Sequence, residues 1–175
     1  EVKIGLLNPL TGPIDVYAPA VTDAGNLAIA HLNDGQDDYQ FSLVEADSGC
    51  DGTTAASAAQ SAVDAGVVGI AGAACSGATL GAMPVARDAG VPMVSYASTS
   101  PALTTADDNG FLFRVVPSDA QQGMAMAMMA AQHGWVNPGL IYMTNDYGAG
   151  LAAVVSGAYA MAGQSMCCLL YTSPS

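Results

Sequence analysis

Apolar runs of four to seven residues alternate along the chain with longer stretches in which apolar residues recur every three or four positions. Clusters of Gly, Pro, Asn and Asp separate the two kinds of segment. The short runs predict strands at 2–7, 41–47, 67–71, 92–96, 111–115 and 140–144, several of them apolar enough to be buried on both faces. The longer stretches predict helices at 21–33, 53–65, 76–89, 118–133 and 147–162. Gly90 followed by Pro92 stops the third of these, and Ser118 with Gln121 three residues on reads as a capping box opening the fourth. Strand and helix in alternation imply an α/β fold, a parallel sheet flanked by helices. Ligands of such sheets lie beyond the carboxyl ends of the strands, so the strand-to-helix loops are where chemistry is expected.

Composition narrows the picture. With 175 residues, 51% hydrophobic and 10% charged, the chain has the make-up of a globular protein and enough length for one domain or one and a fraction. Fifteen acidic residues against three basic ones (Lys3, Arg87 and Arg114) give a net charge of −12. That leaves no basic stripe to neutralise a nucleic-acid backbone and disfavours an anionic membrane surface. The longest apolar stretches, such as 65–75, are too short and too rich in Gly to span a bilayer. The sequence starts almost directly on VKIGLL, so an exported form is expected to have lost its signal already. The stretch 165–175, MCCLLYTSPS after Ser165, abandons the Ala/Gly/Asp usage of the rest. It is expected to be a non-native tail, although it falls where another strand is due.

Several residues on the expected ligand edge carry candidate chemistry. GAACSGAT runs from the third strand into a helix, where free amides and the helix dipole favour an anion and Ser76 adds a hydroxyl; equally, Ser76 can simply cap that helix. SYASTSPALT after the fourth strand exposes donors and acceptors at Ala97, Ser98 and Thr99, a mixture that suits a zwitterion and also an ordinary Ser/Pro turn. Tyr17 and Tyr147 lie on loops of the same edge and can wall a pocket or pack as common half-exposed tyrosines. Cys50 and Cys75 follow neighbouring strand ends, near enough for a disulfide and equally consistent with two small buried thiols. A free Cys75 at a helix N-terminus would be the one candidate for a thiol enzyme, but it lacks a base, and NPLTGP is no dinucleotide fingerprint. Met124, Met126, Met128 and Met129 read as helix core rather than as a soft-metal surface. His31 and His133 sit near helix C-termini without ligand spacing, so neither a metal site nor a cofactor is expected.

Five blocks in order, IGLLNPLTGP, VEADSGCDGTTAASAAQSAVDAGVVGIAGAACSGAT, GVPMVSYASTSPALT, FRVVPSDAQQG and IYMTNDYGAGLA, resemble the periplasmic leucine/isoleucine/valine-binding proteins over residues 2–163. These are substrate receptors of branched-chain amino acid ABC importers. The resemblance implies a type I periplasmic-binding-protein fold of two lobes closing on one small molecule. Residues 1–117 would supply an incomplete first lobe and 118–164 the start of a second, with a hinge crossing near Pro117. Residue by residue, it assigns Ser76 to the ligand carboxylate, and Ala97 and Thr99 to carboxylate and ammonium with Ser98 between them. Tyr17 and Tyr147 become aromatic cover, and Cys50 with Cys75 the family's disulfide. The family's acidic partner for the ammonium is expected later than this chain reaches. A periplasmic, non-enzymatic binding protein with an amino acid ligand and a membrane permease as partner follows. The alternatives are a ligand-sensing domain of a receptor, or a binder of amides, urea-like molecules or aromatic compounds.

Overall fold

The computed structural model describes residues 1–35 and 37–172. The chain divides into two compact units, one formed by Glu1–Ser98 with Asp107–Val115, the other by Thr99–Ala106 with the chain from Val116 onward.

In the first unit, strands β1 (Val2–Asn8), β2 (Phe41–Asp47), β3 (Val67–Ala71), β4 (Met93–Ser95) and β5 (Leu112–Arg114) form one parallel sheet in the order β2-β1-β3-β4-β5. Helices α1 (Ala18–Asp34), α2 (Gly52–Asp64) and α3 (Ser76–Asp88) connect them. The crossover from β1 to β2 runs one way along the sheet and the next two run the other way. Right-handed connections therefore put α1 on one face and α2 and α3 on the opposite one.

The second face is the well-filled one. Leu7 and Met93 are wholly buried in it with Ile70 nearly so, under a layer of small residues: Ala55, Ala59 and Ala62 from α2, Ala78, Ala82 and Ala86 from α3. Alanine and glycine let the two helices approach closely, and a Cβ placed on Gly81 would overlap the carbonyl of Gly52. Gly81→Ala is therefore expected to cost about 1–3 kcal/mol through overpacking, read as a lower denaturant midpoint. An unchanged midpoint would mean that the helices can part at no cost. On the other face α1 covers only the β1–β2 end. The register partners Val94 and Phe113 consequently stay 39% and 54% exposed, which corrects the expectation that these strands are buried on both faces.

The second unit contains α4 (Asp119–Gln132), β6 (Gly139–Met143), α5 (Asp146–Met161) and β7 (Cys168–Thr172). Strands β6 and β7 pair in parallel from Gly139↔Cys168 to Met143↔Thr172. The stretch expected to be a foreign tail thus supplies β7, while its last residues, 173–175, lie outside the described residues. Ala130, Val155 and Tyr159 form the core, with Leu140, Leu151 and Met166 against it. Residues 99–106 belong here because Gly150 of α5 faces Ser100 and Pro101, where a Cβ would come within 3.1 Å of the Ser100 hydroxyl.

Helix α4 overturns one expectation. Met124, Met126, Met128 and Met129 are 37–60% exposed and do not form the helix core. The stripe that α4 buries is Asp119, Gly123 and Ala130. Its contact with α5 depends on small size, since a Cβ on Gly123 would lie 2.6 Å from Val154, and a closely packed seam of this kind turns long side chains outward.

Candidate functional site

The carboxyl ends of β1, β3 and β4 lie side by side, and the loops leaving them are tied by buried polar groups. Past β3 the chain turns at Gly72, whose φ of +132° only glycine adopts readily and whose missing side chain makes room for the Leu7 carbonyl of β1. The next residue, Ala73, is fully buried, and its carbonyl oxygen accepts from the hydroxyls of Ser95 at 2.6 Å, Ser98 at 3.0 Å and Thr79 at 3.1 Å. Thr79 and Ser98 also share a 2.7 Å hydrogen bond, the Ser98 hydroxyl reaches the Ala74 carbonyl at 3.0 Å, and the Ser98 amide donates to Ser95 Oγ. All three hydroxyl residues are at most 1% exposed, so each bond is made away from water, where losing a partner is costly. The loop after β3 and the loop after β4 therefore form one rigid piece.

This piece sets the positions of Ser76, Ala97 and Ser98 among the predicted site residues. Ser76 is the first residue of α3 and is 2% exposed. The N-cap position belongs to Cys75, whose side chain makes no capping bond, so the reading of Ser76 as its helix's own cap does not hold. Ser98 is the strut of the piece, its hydroxyl engaged on the Ala73 and Ala74 carbonyls, while its neighbour Ala97 is exposed. Tyr17 closes a short 3-10 turn, Asp15–Tyr17, and is 63% exposed, outside the hydroxyl network. Thr99 and Tyr147 belong to the second unit. Thr99 is half-buried, and its hydroxyl donates to the Asp119 carboxylate at 2.8 Å; Tyr147 is exposed in the first turn of α5, which Asn145 caps by accepting from the Gly148 amide.

Cys50 and Cys75 are joined in a disulfide with Cα atoms 5.2 Å apart. It ties the loop after β2 to the N-terminus of α3, and it leaves no thiolate at Cys75 for the nucleophilic reading. Among the described residues no group of His, Cys, Asp and Glu is placed to hold a metal ion. His31 stands in the last turn of α1, and His133 ends α4 and stacks on Trp135.

Sequence reasoning missed Asn8, Asp47, Tyr96 and the pair Thr79 and Ser95. Asn8, fully buried at the end of β1, donates through Nδ2 to the Ala18 carbonyl, Thr22 Oγ1 and Glu45 Oε1, fixing the start of α1. Tyr96 donates to the Leu7 carbonyl, and burial together with the negative charge of Glu45 pushes its hydroxyl up to about 12. Asp47 accepts from the Thr11 amide and hydroxyl and from the Gly49 amide. Burial opposes its ionisation, but those hydrogen bonds outweigh it and hold the carboxyl below its ordinary value.

The folded state therefore releases the Asp47 proton more readily than the unfolded chain does. Its stabilising contribution is complete above the ordinary value of 3.8 and is lost as pH falls through the lowered folded value. Thermal melts taken from neutral pH down through this range should show a smaller loss for Asp47→Asn than for the unaltered protein. Parallel curves would remove Asp47 from the acid response.

Comparison with known proteins agrees with this architecture. A family described as "Periplasmic binding protein" matches residues 1–167. The leucine-, isoleucine-, valine-, threonine- and alanine-binding protein of Pseudomonas aeruginosa is 30% identical over 159 residues, 88% of this chain and 42% of that protein. The crystal structure of a leucine-binding protein from Thermotoga maritima superposes with a TM-score of 0.81 at 30% identity, over 99% of this chain and 49% of that one. A branched-chain amino acid transporter substrate-binding protein from Streptococcus pneumoniae, solved with isoleucine, gives 0.84 at 25% identity, over 98% of this chain and 49% of its own. The chain thus spans about half the length of the relatives it matches, and those relatives are binding proteins, not enzymes. By its parallel sheet, by the match along nearly all of its length and by these likenesses, the chain belongs to the periplasmic binding protein family.

Proposed function

We propose that the protein is the solute receptor of an ABC importer, working in the periplasm and capturing a branched-chain amino acid or a similar small zwitterion for a membrane permease. The observation that carries this reading is the rigid piece made by Ala73, Thr79, Ser95 and Ser98, which holds the small-residue loop after β4, with Ala97 exposed, beside the loop that opens α3. Amides and a hydroxyl at a helix N-terminus suit a carboxylate, and a loop of carbonyls and hydroxyls suits an ammonium. Ser76 is assigned to the carboxylate, Ala97 and Thr99 to carboxylate and ammonium. Ser98 acts as the strut behind them, and Tyr17 and Tyr147 serve as apolar cover. The relatives named above support this ligand class, since they are described as binding leucine, isoleucine or valine. Among the described residues no helix is long and apolar enough to cross a membrane.

Thermal melts with leucine, isoleucine and valine test the reading. A ligand at a hundred times its Kd adds about 2.7 kcal/mol of stability, a shift of several degrees. A rise in Tm with at least one of the three, absent with acetate or ammonium chloride, is expected. No shift with any of them, beside a shift with an amide or an aromatic acid, would replace the ligand class.

A further inference from the structure

Cys75 holds the N-cap position of α3, directly before Ser76, and its side chain makes no capping hydrogen bond because it is spent on the bridge to Cys50. Cys50 stands at φ +55°, a left-handed conformation that a residue with a Cβ seldom takes, behind Gly49 at +57°. Glycine would adopt that backbone without strain, so what a cysteine adds in exchange for the strain is its sulfur. The corner that carries Cys50 is anchored from three neighbouring loops. Asp47 accepts from the Gly49 amide at 2.8 Å, the Ser48 amide donates to the Asn8 carbonyl at 2.8 Å, and Asp51 accepts from the Thr54 amide at 2.8 Å to cap α2. Gly12, in the loop after β1, lies so close to the Gly49 carbonyl that a Cβ on it would come within 2.6 Å of that oxygen.

The Ser98 hydroxyl holds the chain as far as the Ala73 and Ala74 carbonyls. One residue on, the disulfide takes over and ties Cys75 to the anchored corner across a Cα separation of 5.2 Å. A helix start whose N-cap side chain offers no hydrogen bond frays readily, and a covalent tie at that residue opposes the fraying. We propose, building on the reading of the protein as an amino acid receptor with Ser76 at the ligand carboxylate, that the Cys50–Cys75 bridge and its Asp47 anchor are positioning groups: they preorganise the Ser76 hydroxyl, so that the bridged protein binds its ligand more tightly than the same folded chain without the bridge. This effect is on affinity in the folded protein and is separate from what the bridge contributes to stability.

The test measures leucine affinity by calorimetry in the unaltered protein, in Ser76→Ala, in Cys50→Gly with Cys75→Ala, and in the variant with all three substitutions, at a temperature where melts show each form folded. Glycine at position 50 relieves the left-handed backbone, and alanine at position 75 brings no new hydroxyl to the N-cap. Removing the bridge should weaken leucine about tenfold. The triple variant should bind no more weakly than Ser76→Ala alone, because the bridge acts through Ser76. If the bridge-free chain does not fold, Asp47→Ala, which keeps the bridge and removes the Gly49 anchor, decides the matter: a loss of about threefold, absent once Ser76 is alanine, is expected. Unchanged affinity without the bridge, no effect of Ser76→Ala, or losses that add when the substitutions are combined would overturn the proposal. Failure of the unaltered protein to bind leucine, isoleucine or valine would instead overturn the amino acid receptor reading, and the positioning with it.

Discussion

Reducing the bridge between Cys50 and Cys75 is expected to lower the unfolding free energy by about 3.5 kcal/mol, the chain-entropy value for closing a loop of this length. The two cysteines are 25 residues apart in sequence, and the segment between them contains all of α2 and β3. Freed of the link, the unfolded chain gains the conformations that closure denied it. The folded state also loses the tie between the loop after β2 and the start of α3. Denaturant titrations with and without reductant measure the difference directly, and a Cys50→Ser, Cys75→Ser double variant should match the reduced protein and ignore reductant. Coincident curves for oxidised and reduced protein would mean that the hydroxyl network alone holds this corner.

The second large effect concerns affinity. Ser76→Ala is expected to weaken binding of the amino acid by about 1.5–3 kcal/mol, a Kd raised about ten- to 150-fold, because a charged acceptor loses a hydrogen-bond donor. The backbone of α3 does not depend on this side chain as its cap, since Cys75 holds that position. Calorimetry on both forms, beside melts without ligand, separates lost recognition from lost folding. An unchanged Kd would take Ser76 out of the site.

The elements themselves were legible in the sequence because each one's signal is local. The run FSLVEAD forms β2 over the predicted residues, and α3 starts at Ser76 as expected. Position in the sheet was not local. Ser95 and Thr79 look like any polar residues in apolar runs, and they meet at the Ala73 carbonyl only because β3 and β4 are neighbours in the strand order. The methionines of α4 misled for a related reason. Apolar composition predicted burial, whereas Gly123 and Ala130 are the residues small enough to sit against α5. Asp119 was visible only as part of a capping sequence, and its clasp with Thr99 spans 20 residues.

The chain passes between its two units three times, after Ser98, after Ala106 and after Val115. Strand β5 therefore reaches the first sheet only after the chain has already contributed residues to the second unit. A single protease cut between 98 and 99 would leave β4 on one fragment and its partner β5 on the other, with Met93 still paired to Leu112 and Ser95 to Arg114. The two fragments of such a cut are thus held together by strand pairing inside the first unit. Neither unit can be released whole by one scission, and fragments produced that way carry complementary edges through which they can reassociate.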